Sequence, residues 1–175
     1  MIVIVFGLPG SGKTYFAERL AERLGGYHLS SDVIRKELAP SPNYSETEKE
    51  LIYKKMFNIM YDYADSEEPL ILDGTFYKSA IRDNFIAGIE RLGRDIKFIE
   101  INADEKLIKK RIDQYRETSD ANFAIYQQIK EEFEPYNEEH LVLISKKDNE
   151  EEMLHKALFY LGQTEADSSS ISMLA

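Results

Sequence analysis

Hydrophobic residues along this chain follow two alternating patterns, short unbroken runs and longer stripes at helical spacing. Residues 2–6, Ile-Val-Ile-Val-Phe, are an unbroken run. In 15–24, Phe16, Ala17, Leu20 and Leu24 fall on one helical face. Gly25-Gly26 stops that helix, and 27–30 is a short second strand. Residues 33–38 read as helix until Pro40 and Pro42 break the chain. A long helix is predicted from Ser45, where Ser45 and Glu48 match a capping box, to about residue 66. Its apolar stripe is Ile52, Met56, Ile59, Met60 and Tyr63, which places Tyr63 in the core.

The third run, 69–73, is continuous rather than alternating, as expected of a strand buried on both faces. Residues 79–92 carry Ile81, Phe85, Ile89 and Leu92 in helical register, and Gly93 ends them. A fourth strand is predicted at 96–101. Two charge-rich helical stretches, 104–118 and 119–134, stop at Pro135. Residues 140–144 are the fifth strand, 148–161 a closing helix, and 163–175, with its serine run, an expected disordered tail. No repeat is present. Strands alternating with helices predict an α/β fold, a parallel sheet covered on both faces, with ligands gathering at the carboxyl ends of its strands.

Composition narrows this picture. A chain of 175 residues that is 43% hydrophobic suits one compact domain. A net charge of −10 without a basic tract argues against duplex nucleic acid as a partner. The absence of cysteine excludes disulfides and thiolate metal sites and fits a reducing compartment. The three histidines show no ligand spacing, and no stretch approaches a membrane span. The opening run is read as a strand rather than a secretory signal, so the expectation is a cytoplasmic protein without membrane contact.

The candidate chemistry clusters at the strand ends. Directly after the first run come Gly7, Leu8, Pro9, Gly10, Ser11, Gly12, Lys13 and Thr14, a G-x-x-x-x-G-K-[ST] loop set between strand and helix. Glycines let successive N–H groups point at a polyphosphate, and the helix N-terminus adds partial positive charge. Lys13 is expected at the β- and γ-phosphates of ATP, Thr14 at Mg²⁺, and Tyr15 beside the nucleotide. After the second strand, Asp32 can serve as general base or helix N-cap, with Arg35 one turn on to grip an acceptor. Asp73, ending the third strand, reads as a second Mg²⁺ residue or as part of an Asp-Gly turn. Thr75 is a weaker candidate for the same water shell. Arg82 is either an acceptor contact or a solvated helix arginine. Arg111 and Arg116, five apart and so on different helical faces, are candidates for nucleotide contacts from a mobile lid. None of the eleven tyrosines singles itself out as a pocket residue.

These motifs together, Gly7-x4-Gly12-Lys13-Thr14, Ser31-Asp32-x-x-Arg35, Leu72-Asp73-Gly74-Thr75 with Arg82, Arg111-x4-Arg116, and Ser119-Asp120-Ala121 leading to Phe133-Glu134-Pro135, resemble the small P-loop kinases. That group is related to polynucleotide 5′-hydroxyl kinase, zeta toxin, chloramphenicol phosphotransferase and gluconate kinase. The resemblance spans nearly all of 1–145. It implies a three-layer P-loop NTPase fold with strand order 2-3-1-4-5, a kinase domain over 1–162 with an acceptor-side cap at 33–66 and a lid at 104–138. It places the general base on Asp32 and the acceptor arginine on Arg35, with adenine near 145–148. Its substrates are mixed, so it implies ATP-dependent phosphorylation of a hydroxyl, with a small molecule favoured as acceptor. A nucleic-acid 5′-end kinase and an ATP-dependent switch that transfers nothing are the alternatives.

Overall fold

The computed structural model describes residues 1–38, 45–63, 65–115 and 119–163, with side chains throughout except at 115 and 119–122. Pro40, Pro42, Tyr44, Arg116 and residues 164–175 lie outside the described residues. The first half of the chain runs β1 (Ile2–Phe6), α1 (Lys13–Leu24), β2 (Tyr27–Ser30), α2 (Ser31–Leu38), α3 (Glu46–Asp62), β3 (Leu70–Asp73) and α4 (Ser79–Arg91). The second half runs β4 (Ile96–Ala103), α5 (Glu105–Tyr115), α6 (Ser119–Glu132), β5 (Leu141–Ser145) and α7 (Glu150–Tyr160). All described strand pairs are parallel, in the order β2-β3-β1-β4-β5.

β1 lies at the centre, and all five of its residues are buried. Because strand side chains alternate, Ile2, Ile4 and Phe6 enter one core while Val3 and Val5 enter the other. The first core is closed by α3, α4 and α6 through Ile52, Met56, Met60, Phe85, Ile89 and Ile129. The second is closed by α1 and α7 through Phe16, Leu20, Leu24, Met153, Leu154 and Ala157. A smaller cluster of Ile108, Ile112 and Tyr126 packs α5 on α6. Three layers therefore fix where the loops after β1, β2 and β3 emerge.

Several boundaries differ from the periodicity, each for a local reason. α1 begins at Lys13, two residues before the segment 15–24 that carries its apolar stripe, because Gly12 caps it at φ 95. β4 runs on to Ala103 because Asn102 and Ala103 pair with Ile144 and Ser145 of β5. α3 ends at Asp62, and Tyr63, its C-cap, is half-buried and packs against the edge of the first core. Its ring stacks on Tyr27 at 5.4 Å and its hydroxyl donates to Glu68 at 2.6 Å.

Candidate phosphate-binding and phosphoryl-transfer site

The loop after β1 is shaped by contacts that only glycine permits at its start. A Cβ on Gly7 would stand 2.3 Å from the Ile101 carbonyl oxygen, and Gly7 has φ +145. Gly12, at φ +95, turns the chain directly into α1, so the free amides of the first helical turn face the concavity of the loop. Ser11 is fully buried, and its Oγ has no hydrogen-bond partner among the described residues. Lys13 is buried too, yet no described carboxylate pairs with it. An ammonium that is buried and, among the described residues, uncompensated, set at the N-terminus of a helix, has the chemistry to hold an anion.

One strand over, Ser30, Asp73 and Val5 stand in register across β2, β3 and β1. Asp73 is 1% exposed. Its Oδ2 accepts from Ser30 Oγ at 3.0 Å and lies 3.6 Å from His28 Nε2, while its Oδ1 has no partner among the described residues. A buried acceptor left unmatched costs about 1–3 kcal/mol, so this oxygen has the capacity to accept from a water or to ligate a cation. Ser30 Oγ in turn accepts the N–H of Asp32 at 3.3 Å. Since α2 already begins at Ser31, Ser30 performs the capping and Asp32 is not the N-cap. The Asp32 side chain is half exposed and faces Arg35, whose Nη1 donates to Asp32 Oδ1 at 2.7 Å.

Arg35 also donates from Nε to Glu48 Oε1 at 3.1 Å, which ties α2 to the first turn of α3. The loop after β3 is held from beneath. Phe76 has a left-handed φ of 46, strained for a non-glycine residue. Its N–H donates to the Tyr53 hydroxyl at 2.8 Å, and its carbonyl accepts from Arg82 Nη1 at 2.7 Å. Burial pushes the Tyr53 hydroxyl above its usual ionisation range, so it stays a neutral acceptor. Arg82 Nη2 continues to the carbonyls of Glu134 at 2.9 Å and Pro135 at 3.3 Å. Arg82 is thus a buried staple, neither a solvated helix arginine nor one turned toward a phosphate. Burial lowers its pKa.

On the other side, α5 packs against the phosphate loop itself. A Cβ on Gly10 would lie 3.0 Å from Ile108 Cγ2. Arg111 Nη1 donates to the carbonyls of Ser11 at 2.8 Å and Gly10 at 3.3 Å, and Nη2 donates to Ser145 Oγ at 3.0 Å. It therefore grips the outside of the loop and joins it to the end of β5. Tyr15 is exposed and its hydroxyl donates to Glu150 at 2.8 Å. Beyond Ser145, Asn149 holds a tight turn, accepting from Lys146 N–H at 2.8 Å and donating to the Ile144 carbonyl at 2.9 Å.

The structure thus gathers the loop from Gly7 to Thr14 with Asp32, Arg35 and Asp73 at the carboxyl ends of three neighbouring strands, and sets Arg111 behind the loop. Arg116 lies outside the described residues. Sequence reading did not assign Ser30, His28 or Glu48 to this site, and it gave neither Tyr53 nor Ser145 the hydrogen bond it makes here. Only Glu48 carried a local signal, its place in the capping box, where Ser45 Oγ does accept its N–H at 3.2 Å.

Comparison with known proteins adds to this geometry. A family model described as an AAA domain matches residues 2–136. An adenylate kinase of Kosmotoga olearia is 32% identical over 129 residues, 66% of this chain, and the chain spans 60% of that protein's length. A gluconokinase from Sinorhizobium meliloti 1021 superposes with a TM-score of 0.70 at 18% identity, covering 99% of this chain and 96% of that one. The Mycobacterium tuberculosis APS kinase in complex with AMPPNP and APS gives a TM-score of 0.75 at 17% identity, covering 93% and 97%. The fold is that of the small P-loop kinases, with the strand order their resemblance implied.

Proposed function

We propose that this chain, which belongs to the AAA domain family, is an ATP- and Mg²⁺-dependent kinase that moves the γ-phosphate onto a hydroxyl of a small molecule. One observation carries the reading. A glycine loop with a buried lysine unpaired among the described residues, a buried carboxylate with one oxygen unmatched among them, and a half-exposed aspartate paired to an arginine stand at three adjacent strand ends. Phosphoryl transfer needs these parts: aligned phosphates, a metal residue, a proton acceptor and a cation to orient it. Kinase names among the relatives support the same class. The adenylate kinase's acceptor is not carried over, since the chain spans only 60% of that protein.

In this reading the loop amides and Lys13 hold the phosphates of ATP, Leu8 and Pro9 shape the turn, and Ser11 turns its unmatched hydroxyl toward them. Asp73 Oδ1 and the Thr14 hydroxyl supply the hard oxygen donors that suit Mg²⁺. Among the described residues no cluster of three or more His, Asp or Glu could cage a metal, which fits a cation shared with phosphates. When bound, Mg²⁺ neutralises charge on the β- and γ-oxygens. Asp32 accepts the proton of the acceptor hydroxyl as its oxygen bonds to the γ-phosphorus and the bond to the leaving ADP oxygen breaks. Arg35 orients Asp32 and the acceptor, Arg111 sets the loop's shape, Tyr15 flanks the nucleotide, and Arg116 closes from the lid.

The test is transfer of labelled γ-phosphate from Mg·ATP to pooled hydroxyl compounds. Label on an acceptor is the expected result. A second reading, an ATP-dependent switch, draws on the tie from Arg111 to the loop carbonyls, which would couple nucleotide binding to α5. ATP binding without label on any acceptor would favour it.

A further inference from the structure

Ser30 stands between the two carboxylates of the site. It lies opposite Asp73 in the register of β2 and β3, and the two residues are 3% and 1% exposed. Its hydroxyl donates to Asp73 Oδ2 at 3.0 Å, while the same oxygen accepts the Asp32 N–H at 3.3 Å. Among the described residues no other donor makes a hydrogen bond to Asp73, since His28 Nε2 stays 3.6 Å from Oδ2. Asp73 Oδ1 is left unmatched among them. A helix start needs only an acceptor, and an aspartate or asparagine would serve as well as a serine. This position uses the donor too. A hydroxyl carries a rotatable O–H and two lone pairs on one atom, whereas an aspartate here would set a second carboxylate against Asp73.

We infer that Ser30 is a positioning residue: it aims Asp73 Oδ1 at the cation of bound Mg·ATP and ties that carboxylate to the backbone of the base, Asp32. This rests on the kinase reading above and deepens it by adding a residue that acts through Asp73 and Asp32. The backbone of Asp73 is fixed by its strand, with Val5 beside it in β1 and Ser30 in β2. What remains free is rotation of the carboxylate about χ2, a broad torsion without three staggered wells. One hydrogen bond to Oδ2 removes that freedom and so decides where Oδ1 points. The second bond carries the constraint onward. α2 begins at Ser31, and Gly74 lets it start directly against the end of β3, where a Cβ would stand 3.1 Å from Ser31 Oγ. A turn of the Asp73 carboxylate on meeting a cation therefore pulls on Ser30 Oγ and, through it, on the Asp32 amide. Outer partners of this kind orient the ligands of a metal, and their loss costs about 10- to 100-fold in metal affinity.

The experiment titrates AMPPNP calorimetrically into the full chain, once with Mg²⁺ and once with EDTA, for wild type, Ser30→Ala, Asp73→Asn and Ser30→Ala/Asp73→Asn. The readout is the factor by which Mg²⁺ tightens nucleotide binding. Ser30→Ala is expected to lower that factor by about tenfold, the lower end of the range for a lost outer partner, with binding in EDTA unchanged. The double variant should match Asp73→Asn, because Ser30 has nothing left to aim. Ser30→Cys keeps the shape with a weaker donor, should fall between wild type and Ser30→Ala, and supplies the readout if the alanine variant melts early. A serine that only caps α2 would lower the melting temperature and leave the factor alone, which overturns the inference, as does an additive loss in the double variant. The tie to the base is read by NMR with AMPPNP bound: adding Mg²⁺ should move the Asp32 amide resonance in wild type and move it less in Ser30→Ala. Equal movement overturns that tie. The kinase reading fails separately. If no acceptor takes label from Mg·ATP, that reading falls while the Mg²⁺ factor still tests Ser30; if wild-type nucleotide binding ignores Mg²⁺, the inference falls and label transfer still tests the reading.

Discussion

Replacing Arg82 separates a structural staple from a substrate contact. The side chain is 1% exposed and donates to three backbone carbonyls, two of them at 2.7 and 2.9 Å. Hydrogen bonds from a charged donor contribute about 1.5–3 kcal/mol each. Arg82→Ala loses two good bonds and one longer one, takes its partner from the carbonyls of Phe76 and Glu134, and leaves a cavity where the guanidinium lay over the Tyr136 ring. Relief of the buried charge offsets part of this, so the net loss is about 3–5 kcal/mol. In a domain of this size that is a fall of about 10 °C or more in Tm. Arg82→Lys keeps the charge but lacks the fork, and should recover less than half. Urea unfolding followed by circular dichroism reads both variants. Loss below about 1 kcal/mol for the alanine variant, with an unchanged m-value, would refute the staple. A raised acceptor KM at unchanged stability would restore the substrate-contact reading.

Two further outcomes follow from single positions. Gly7→Ala places a methyl 2.3 Å from the Ile101 carbonyl at φ +145, so thermal melting should show a loss of about 2 kcal/mol or more together with weakened ATP binding; a neutral result would mean the loop moves freely away from β4. Glu46 titrates at about 2 when folded, below its ordinary 4.5, because Lys49 and Lys78 hold the ionised form. Its contribution is therefore fully present above about 4.5 and is lost as pH falls toward about 2. Glu46→Gln should flatten the acid limb of the stability curve in that window, and an unchanged limb would remove the pair from the account.

What was legible in the sequence is what the local chain determines. The glycines at 7 and 12 are demanded by backbone geometry within one turn, and the unbroken apolar runs of β1 and β3 follow from burial on both faces. The strand order came from likeness to a family, since periodicity does not say which parallel strands are neighbours. Most of the missed contacts join residues distant in sequence. Arg82 reaches carbonyls 52 and 53 residues away, and Arg111 reaches a loop about 100 residues earlier. A helix arginine headed for solvent looks the same in sequence as one headed for a carbonyl. Tyr63 sat on the apolar stripe of α3, and although the helix ends before it the ring packs against the first core while also stacking on Tyr27. Asp32 matched the N-cap pattern, but Ser30, two residues earlier, took the role through its hydroxyl.

The most direct test of the account is the rate of labelled γ-phosphate transfer by Asp32→Asn against wild type, with ATP affinity measured alongside. A general base removed from an otherwise intact site predicts transfer reduced by about 10²- to 10⁴-fold with ATP affinity retained. Transfer at the wild-type rate, or transfer and ATP affinity falling together, would contradict the role given to Asp32 and the single site built around it.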